Sequence, residues 1–266
     1  MVDFKQKECY NIEDLVEIIR LLRAPGGCPW DAEQTHESIK KNLIEETYEV
    51  IEAVNKDDKE LMCEELGDLL MQVVFHAQME AEAGTFDFDN VADGVCKKLV
   101  ERHPHVLGEV SVSGVDDVLT NWDAIKRKTK GQKTTTESMF SVPRELPALM
   151  RATKLQKKAA DVGFDWPDIG GALDKLEEEI AELRAAIGAG DKQNIKEELG
   201  DILFSAVNVS RFVKADAEEA LTDASDKFLA RFTQVEALAN ERGIDMKNST
   251  LEVLDALWDE VKAKSK

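Results

Sequence analysis

Apolar residues recur along most of the chain at spacings of three and four, the interval that lines one face of an α-helix. This pattern predicts helices over about 11–23, 33–54, 58–83, 88–101 and 115–129, and again over about 145–161, 168–187, 191–214, 216–240 and 249–264. Asn11, with an acid three residues on at Asp14, has the form of an N-cap. Two segments break the pattern. "RAPGGCPWD" (23–31) and "VGFDWPDIGG" (162–171) carry the prolines and glycines that a helix interior rejects. Trp30 and Trp166 each follow such a break and read as packing anchors. Alternation of the strand type is confined to "EVSVSGV" at 109–115, a weak candidate. The polar run ending at Pro143 reads as a linker over 131–143, between a first domain at 1–130 and a second at 144–266. The fold class expected is all-α.

The two halves repeat one another. "EELGD" stands at 64–68 and again at 197–201. Residues 42–78 laid over 175–211 without gaps agree at 14 of 37 positions, among them Glu45, Glu46, Glu49, Asp58 and the whole run from Glu64 to Asp68. A helix–turn–helix unit has been duplicated.

Each copy spells E-E-x-x-E on its first helix and E-x-x-D on its second. In the second copy, Leu173, Leu176, Ile180, Leu183 and Ile187 are the expected buried stripe of one helix. Ile195, Leu199, Ile202, Ala206 and Val209 are that of the next. Glu179, Glu182, Glu198 and Asp201 each precede a stripe position, so both acid rows are expected to flank the core about 100° round from it. In an antiparallel hairpin the rows can converge at one edge. Converging carboxylates repel, and a divalent cation resolves the conflict. All-oxygen donors select hard ions, Mg²⁺ or Mn²⁺. The second half has no His, which argues against a di-iron bundle built on Glu-x-x-His pairs.

Composition narrows the ligand. Asp and Glu outnumber Lys and Arg by 54 to 34, a formal charge of −20. Such a chain repels nucleic-acid backbones and anionic membranes, so neither is an expected partner. A nucleotide whose charge is carried in by a cation is not repelled. Four cysteines in the first half, without CxxC spacing, read as reduced thiols, and the N-terminal segment lacks a basic-then-apolar leader. The expected location is cytoplasmic. There is no P-loop and no nucleophile–base pair in the second half. A cation held by carboxylates suits phosphoryl chemistry, with Glu178 or Glu182 free to orient or deprotonate water. Spacing does not choose between them.

These segments resemble the MazG nucleoside triphosphate pyrophosphohydrolases, in their two-domain bacterial form. "GGCPWDAEQTHESIKKNLIEETYEVIEAV", "EELGDLLMQVVFHAQME", "ERHPHVLGEV", "NWDAIK", "KLQKKAADVGFDWP", "EELGDILFSAVNVSRF" and "LWDEVK" carry the likeness in family order. The resemblance implies two tandem helical domains whose hairpins complete four-helix bundles by homodimerisation. It implies Mg²⁺-dependent hydrolysis of NTPs and dNTPs to monophosphate and pyrophosphate, by water attack at the α-phosphorus, as nucleotide-pool housecleaning. It implies metal ligands at Glu179, Glu182, Glu198 and Asp201, and nucleotide contacts at Lys227, Trp258 and Lys262. It also implies that the second domain is the catalytic one. A γ-phosphatase on the same scaffold and a non-enzymatic acidic helical regulator are the alternatives.

The residues give their own reason to prefer the second copy. Seven residues after the motif Asp stands Asn208 in copy two and Phe75 in copy one; only the amide can hydrogen-bond a ligand. Copy one keeps its acids, so Glu46, Glu49, Glu65 and Asp68 form a possible second metal site. Lys227 and Arg231, four apart on one helix, could meet phosphate oxygens or form a solvated basic edge. Trp258 could stack on a base or belong to the core.

Overall fold

The computed structural model describes residues 4–108 and 134–264, together with 110, 112, 114, 117, 118, 122 and 125. Among the described residues there are twelve α-helices and no strand. The expected helix over 115–129 and the strand candidate at 109–115 lie largely outside the described residues. The chain divides into two compact units, Met1–Lys126 and Arg127–Lys266.

In the first unit, α1 (Ile12–Arg23) is closed by the expected capping box between Asn11 and Asp14. A short α2 (Pro29–Glu33) follows, then α3 (His36–Asn55), capped by Thr35, and α4 (Lys59–Ala83). α3 and α4 pack as a hairpin and α1 lies on α4. The turn between them places Asp57 in the left-handed region, at φ 53°. Asp58 then caps α4 by accepting from the backbone N–H groups of Glu60 and Leu61. The core here is Ile19, Ile39, Val74, Phe75 and Met79, with Leu15, Leu22 and Met71 against it. α5 (Phe88–Arg102) and α6 (Pro104–Leu107) complete this unit's described helices. Trp30 is not the anchor expected, since 61% of its surface is exposed.

In the second unit, the stretch read as a linker is partly helical. α7 (Thr135–Phe140) carries a capping box at Thr134 and packs on α8 (Ala148–Ala160). Polar composition hid it, because four of its six residues are Thr, Ser or Glu, held by capping rather than by an apolar stripe. α9 (Ile169–Ala189) and α10 (Lys192–Phe212) form the second hairpin, with Gly190 at φ 69° and Asp191 as N-cap repeating the first turn. α8 packs on α10, and α11 (Ala217–Glu241) on both. α11 and α12 (Leu251–Lys264) pair around Val235, Ala239, Leu257 and Val261, with Trp258 against that core.

Trp166 is itself 44% exposed, but one face of its indole is packed. Its indole lies on Gly171 so closely that a Cβ there would sit 2.6 Å from the ring. Gly171→Ala is therefore expected to displace the indole and cost about 1–3 kcal/mol, the usual penalty of overpacking. Thermal denaturation of the variant would show it as a lowered midpoint; an unchanged midpoint would mean that the ring yields freely.

The expected stripe of the second hairpin is corrected by the structure. Leu173, Ile180 and Ile187 are 42%, 39% and 58% exposed, and Leu199 is 50% exposed. The buried residues of α9 are instead Ala172, Glu179 and Ala186, seven apart, with Leu176 and Leu183 half-buried beside them. α10 packs along this seam, where two of the three buried side chains are alanines. A periodicity of 3.6 is satisfied equally by either of two adjacent faces, and side-chain size decides between them.

Candidate active site

The seam shift has a chemical consequence. Glu179 does not flank the hairpin but lies inside it, 5% exposed. Glu182 stands one turn further along α9, and Glu198 faces both from α10. One carboxylate oxygen from each of the three lies within 4.8 Å of the others. Burial first, then the charges of Glu182, Glu179 and Asp201, raise the Glu198 carboxyl above its ordinary pKa. Asp201, one turn beyond Glu198, is exposed and outside the close group of three. Its charge is nonetheless felt there.

Lys175, one turn before Glu179, bonds Glu178 and Glu179 at 2.8 Å each. These carboxylates hold the ammonium's pKa above its ordinary value. Glu178 is thereby engaged, whereas Glu182 is exposed and forms no salt bridge among the described residues. The counterpart of Lys175 in the first unit is Asn42.

The first unit repeats the cluster. Glu46 and Glu49 of α3 meet Glu65 of α4 with the same 4.8 Å closeness. Burial, then the charges of Asp68 and Glu49, raise the Glu46 carboxyl; burial, then Glu49 and Glu64, raise Glu65. No ammonium takes the place of Lys175, so this cluster is the less neutralised of the two. Both sets offer oxygen donors alone, without thiol or imidazole. That is the donor set of a hard divalent cation.

Past Asp201 on α10, Asn208 accepts a hydrogen bond from Arg211 at 2.8 Å. Arg211 in turn grips both carboxylate oxygens of Asp165, one at 2.8 Å, and holds the Asp165 carboxyl below its usual range. This chain of three ties the 163–166 loop to α10. In the first unit, Phe75 occupies the corresponding place. It is 6% exposed and lies beneath the Arg23 guanidinium, 5.1 Å from the ring centroid. Sequence reasoning singled out Asn208 but not Asp165, Arg211 or Lys175. The repeat offset would have exposed Lys175, by pairing a lysine with Asn42 beside otherwise identical acids.

The other expected nucleotide contacts lie on the second hairpin pair. Lys227 is exposed and Arg231 half-buried on α11; Trp258 and Lys262 lie on α12. Trp258 packs against Phe228, with ring centroids 5.4 Å apart, and against the α11–α12 core. Among the described residues, no ion pair or hydrogen bond links Lys227, Arg231 or Lys262 to the acidic cluster.

The two acidic hairpins coincide with a family signature. The family model described as "MazG nucleotide pyrophosphohydrolase domain" matches residues 34–107 and 171–236, more than half of the chain. The chain belongs to the MazG family. Members similar to it over nearly their full length are the nucleoside triphosphate pyrophosphohydrolase of Escherichia coli K12 and the nucleoside triphosphate pyrophosphohydrolase/pyrophosphatase MazG of Thermotoga maritima. The first is 44% identical over 95% of this chain and 97% of that protein. The second is 43% identical over 94% of this chain and 95% of that protein. The uncharacterized protein YabN of Bacillus subtilis is 50% identical over 92% of this chain but only 50% of its own length. MazG pyrophosphohydrolases are in general metal-dependent, and this MazG chain carries two acidic clusters of matching composition.

Proposed function

We propose that this MazG chain hydrolyses nucleoside triphosphates, ribo- or deoxyribo-, to the monophosphate and pyrophosphate, with water attacking the α-phosphorus. The observation that carries this reading is the convergence of Glu179, Glu182 and Glu198 from two helices of a domain matched by the pyrophosphohydrolase family. Glu179, Glu182, Glu198 and Asp201 would hold Mg²⁺, or Mn²⁺ in its place. Bound there, the cation would neutralise phosphate oxygens and lower the pKa of water.

The chain's own groups supply the rest. Glu182 is better suited than Glu178 to orient and deprotonate the attacking water, because Lys175 already engages Glu178. Lys227 and Arg231 can meet the phosphate charge, and Trp258 and Lys262 extend that surface. The role is nucleotide-pool housecleaning in the cytoplasm; no helix among the described residues is long and apolar enough to cross a membrane. The active form is a homodimer in which the second hairpin's exposed apolar row completes a four-helix bundle.

The test is a nucleotide panel assayed with Mg²⁺ and with chelator, reading products directly. Pyrophosphate with monophosphate, abolished by chelator, is the expected result. Orthophosphate with diphosphate would replace this reading by a γ-phosphatase, and no turnover of any nucleotide would leave an acidic scaffold.

The first unit's cluster (Glu46, Glu49, Glu65 and Asp68) binds metal on this reading but turns over little substrate, since Phe75 fills the place of Asn208. The double variant Glu49→Gln, Glu65→Gln is expected to lower pyrophosphate release less than about threefold, a surface-scale effect. A loss comparable with that from the second cluster would make the first site catalytic.

A further inference from the structure

The second unit forms a half-open cavity of about 380 Å³ among α7, α8, the 163–166 loop and the C-terminal half of α10. That is within the range of small-molecule sites. Its walls are largely apolar, with Leu155, Ala159, Trp166 and Phe204 among them, and the polar part of the lining is two amide side chains, Gln156 and Asn208, with the Asp165–Arg211 ion pair.

Gln156 is 8% exposed. Its Nε2 donates to the Phe204 carbonyl at 2.8 Å, whereas its Oε1 is buried without a partner. Buried acceptors are almost always satisfied, so an orphan beside a cavity points to a donor brought by a ligand. Asn208 is held in a fixed orientation by Arg211. The Trp166 indole, seated on Gly171, forms part of the same wall.

Position connects the cavity to the acids. Glu198, Asp201, Ser205 and Asn208 follow one another at spacings of three and four, so they share one face of α10. At 1.5 Å per residue, Asn208 lies about 10 Å along the axis from Asp201 and about 15 Å from Glu198. A nucleotide laid along this face, its phosphates at the carboxylates, brings its heterocycle to the cavity. The first unit, where Phe75 stands in place of Asn208, has that position packed into its core. Trp258, the other aromatic candidate for the base, is engaged with Phe228 and the α11–α12 core.

We propose that this cavity takes the purine or pyrimidine base of the substrate, with Gln156 Oε1 accepting from a base N–H and the Asn208 amide reading a neighbouring edge atom. The proposal rests on the hydrolase reading above for the phosphate end of the ligand. It makes base choice a matter of which heterocycle presents an N–H to Gln156, because a site left with an unpaired polar group rejects the ligand lacking it.

The test uses the full chain and two kinds of probe. Adenosine, guanosine, cytidine and uridine are titrated calorimetrically with chelator present, and the corresponding triphosphates are assayed with Mg²⁺. Asn208→Phe, which recreates the first unit, is expected to weaken nucleoside binding at least tenfold and to raise KM at least tenfold, with the loss in KM exceeding that in kcat. Gln156→Leu is expected to change the order of the four KM values. Should Asn208→Phe fail to fold, as circular dichroism would reveal, Asn208→Ala gives the same readings by removing the amide alone. Folded variants with wild-type nucleoside affinity and an unchanged KM order would overturn the proposal while leaving the hydrolase standing. If the wild type hydrolysed no triphosphate, the hydrolase reading would fall, and the nucleoside titrations would still decide the cavity.

Discussion

Glu182→Gln, Glu198→Gln and Asp201→Asn are each expected to lower pyrophosphate release by about a thousandfold, within the range that a positioned proton acceptor or a cation site contributes. Each exchange keeps size and removes charge, so the helical content and the hairpin should persist. The free protein should even gain stability from Glu198→Gln, because the carboxylate removed is one whose charge burial and four neighbouring acids oppose. Wild-type protein should gain stability from Mg²⁺, by about 2.7 kcal/mol per occupied site at a hundredfold excess over its dissociation constant, and the variants should keep only the share that the first unit's cluster contributes. Steady-state assays and thermal melts with and without Mg²⁺ check both halves of this expectation. Variants that keep near-wild-type turnover, or melt with the same Mg²⁺-dependent shift, would remove these carboxylates from the centre.

The second large effect is on assembly. Leu199→Asp combined with Leu203→Asp is expected to turn a dimer into a monomer, with dissociation at least a hundredfold more favourable. The two leucines are 50% and 51% exposed and one turn apart on α10, and Ile180 and Ile187 are likewise exposed on the partner helix α9. Residues seven apart on α9 and four apart on α10 form the seam by which one hairpin packs on another. A carboxylate buried in such a seam without a partner costs several kcal/mol. Light scattering after size exclusion reads the mass, and circular dichroism confirms that the helices remain. A monomeric wild type, or a variant of unchanged mass, would reject this row as the dimer face.

The helices, their stops and their duplication were legible because each rests on local chemistry. Asp58 and Asp191, identical across the repeat, cap equivalent helices; Gly190 takes the left-handed turn; Asn11 and Asp14 close the first helix as their spacing implied. The acids were legible as a repeated set whose mutual repulsion called for a cation. Less local features were not. The short helix at Thr135–Phe140 carries few apolar residues and is held by a capping box and by packing on α8. Trp30 follows the same kind of break as Trp166 but lacks a glycine seat such as Gly171.

By itself the sequence determined an all-α chain in two related halves, each with five carboxylates on neighbouring helices, because helix periodicity, capping and charge act within a few residues. Only the tertiary structure decided which face of each hairpin is buried, and so that Glu179 lies inside the seam and not beside it. It alone assembled a cavity from Met139, Gln156, Asp165 and Asn208, segments far apart in the chain. The physical reason is common to both: two adjacent faces of a helix satisfy the same periodicity, and close packing of side chains from distant segments selects between them.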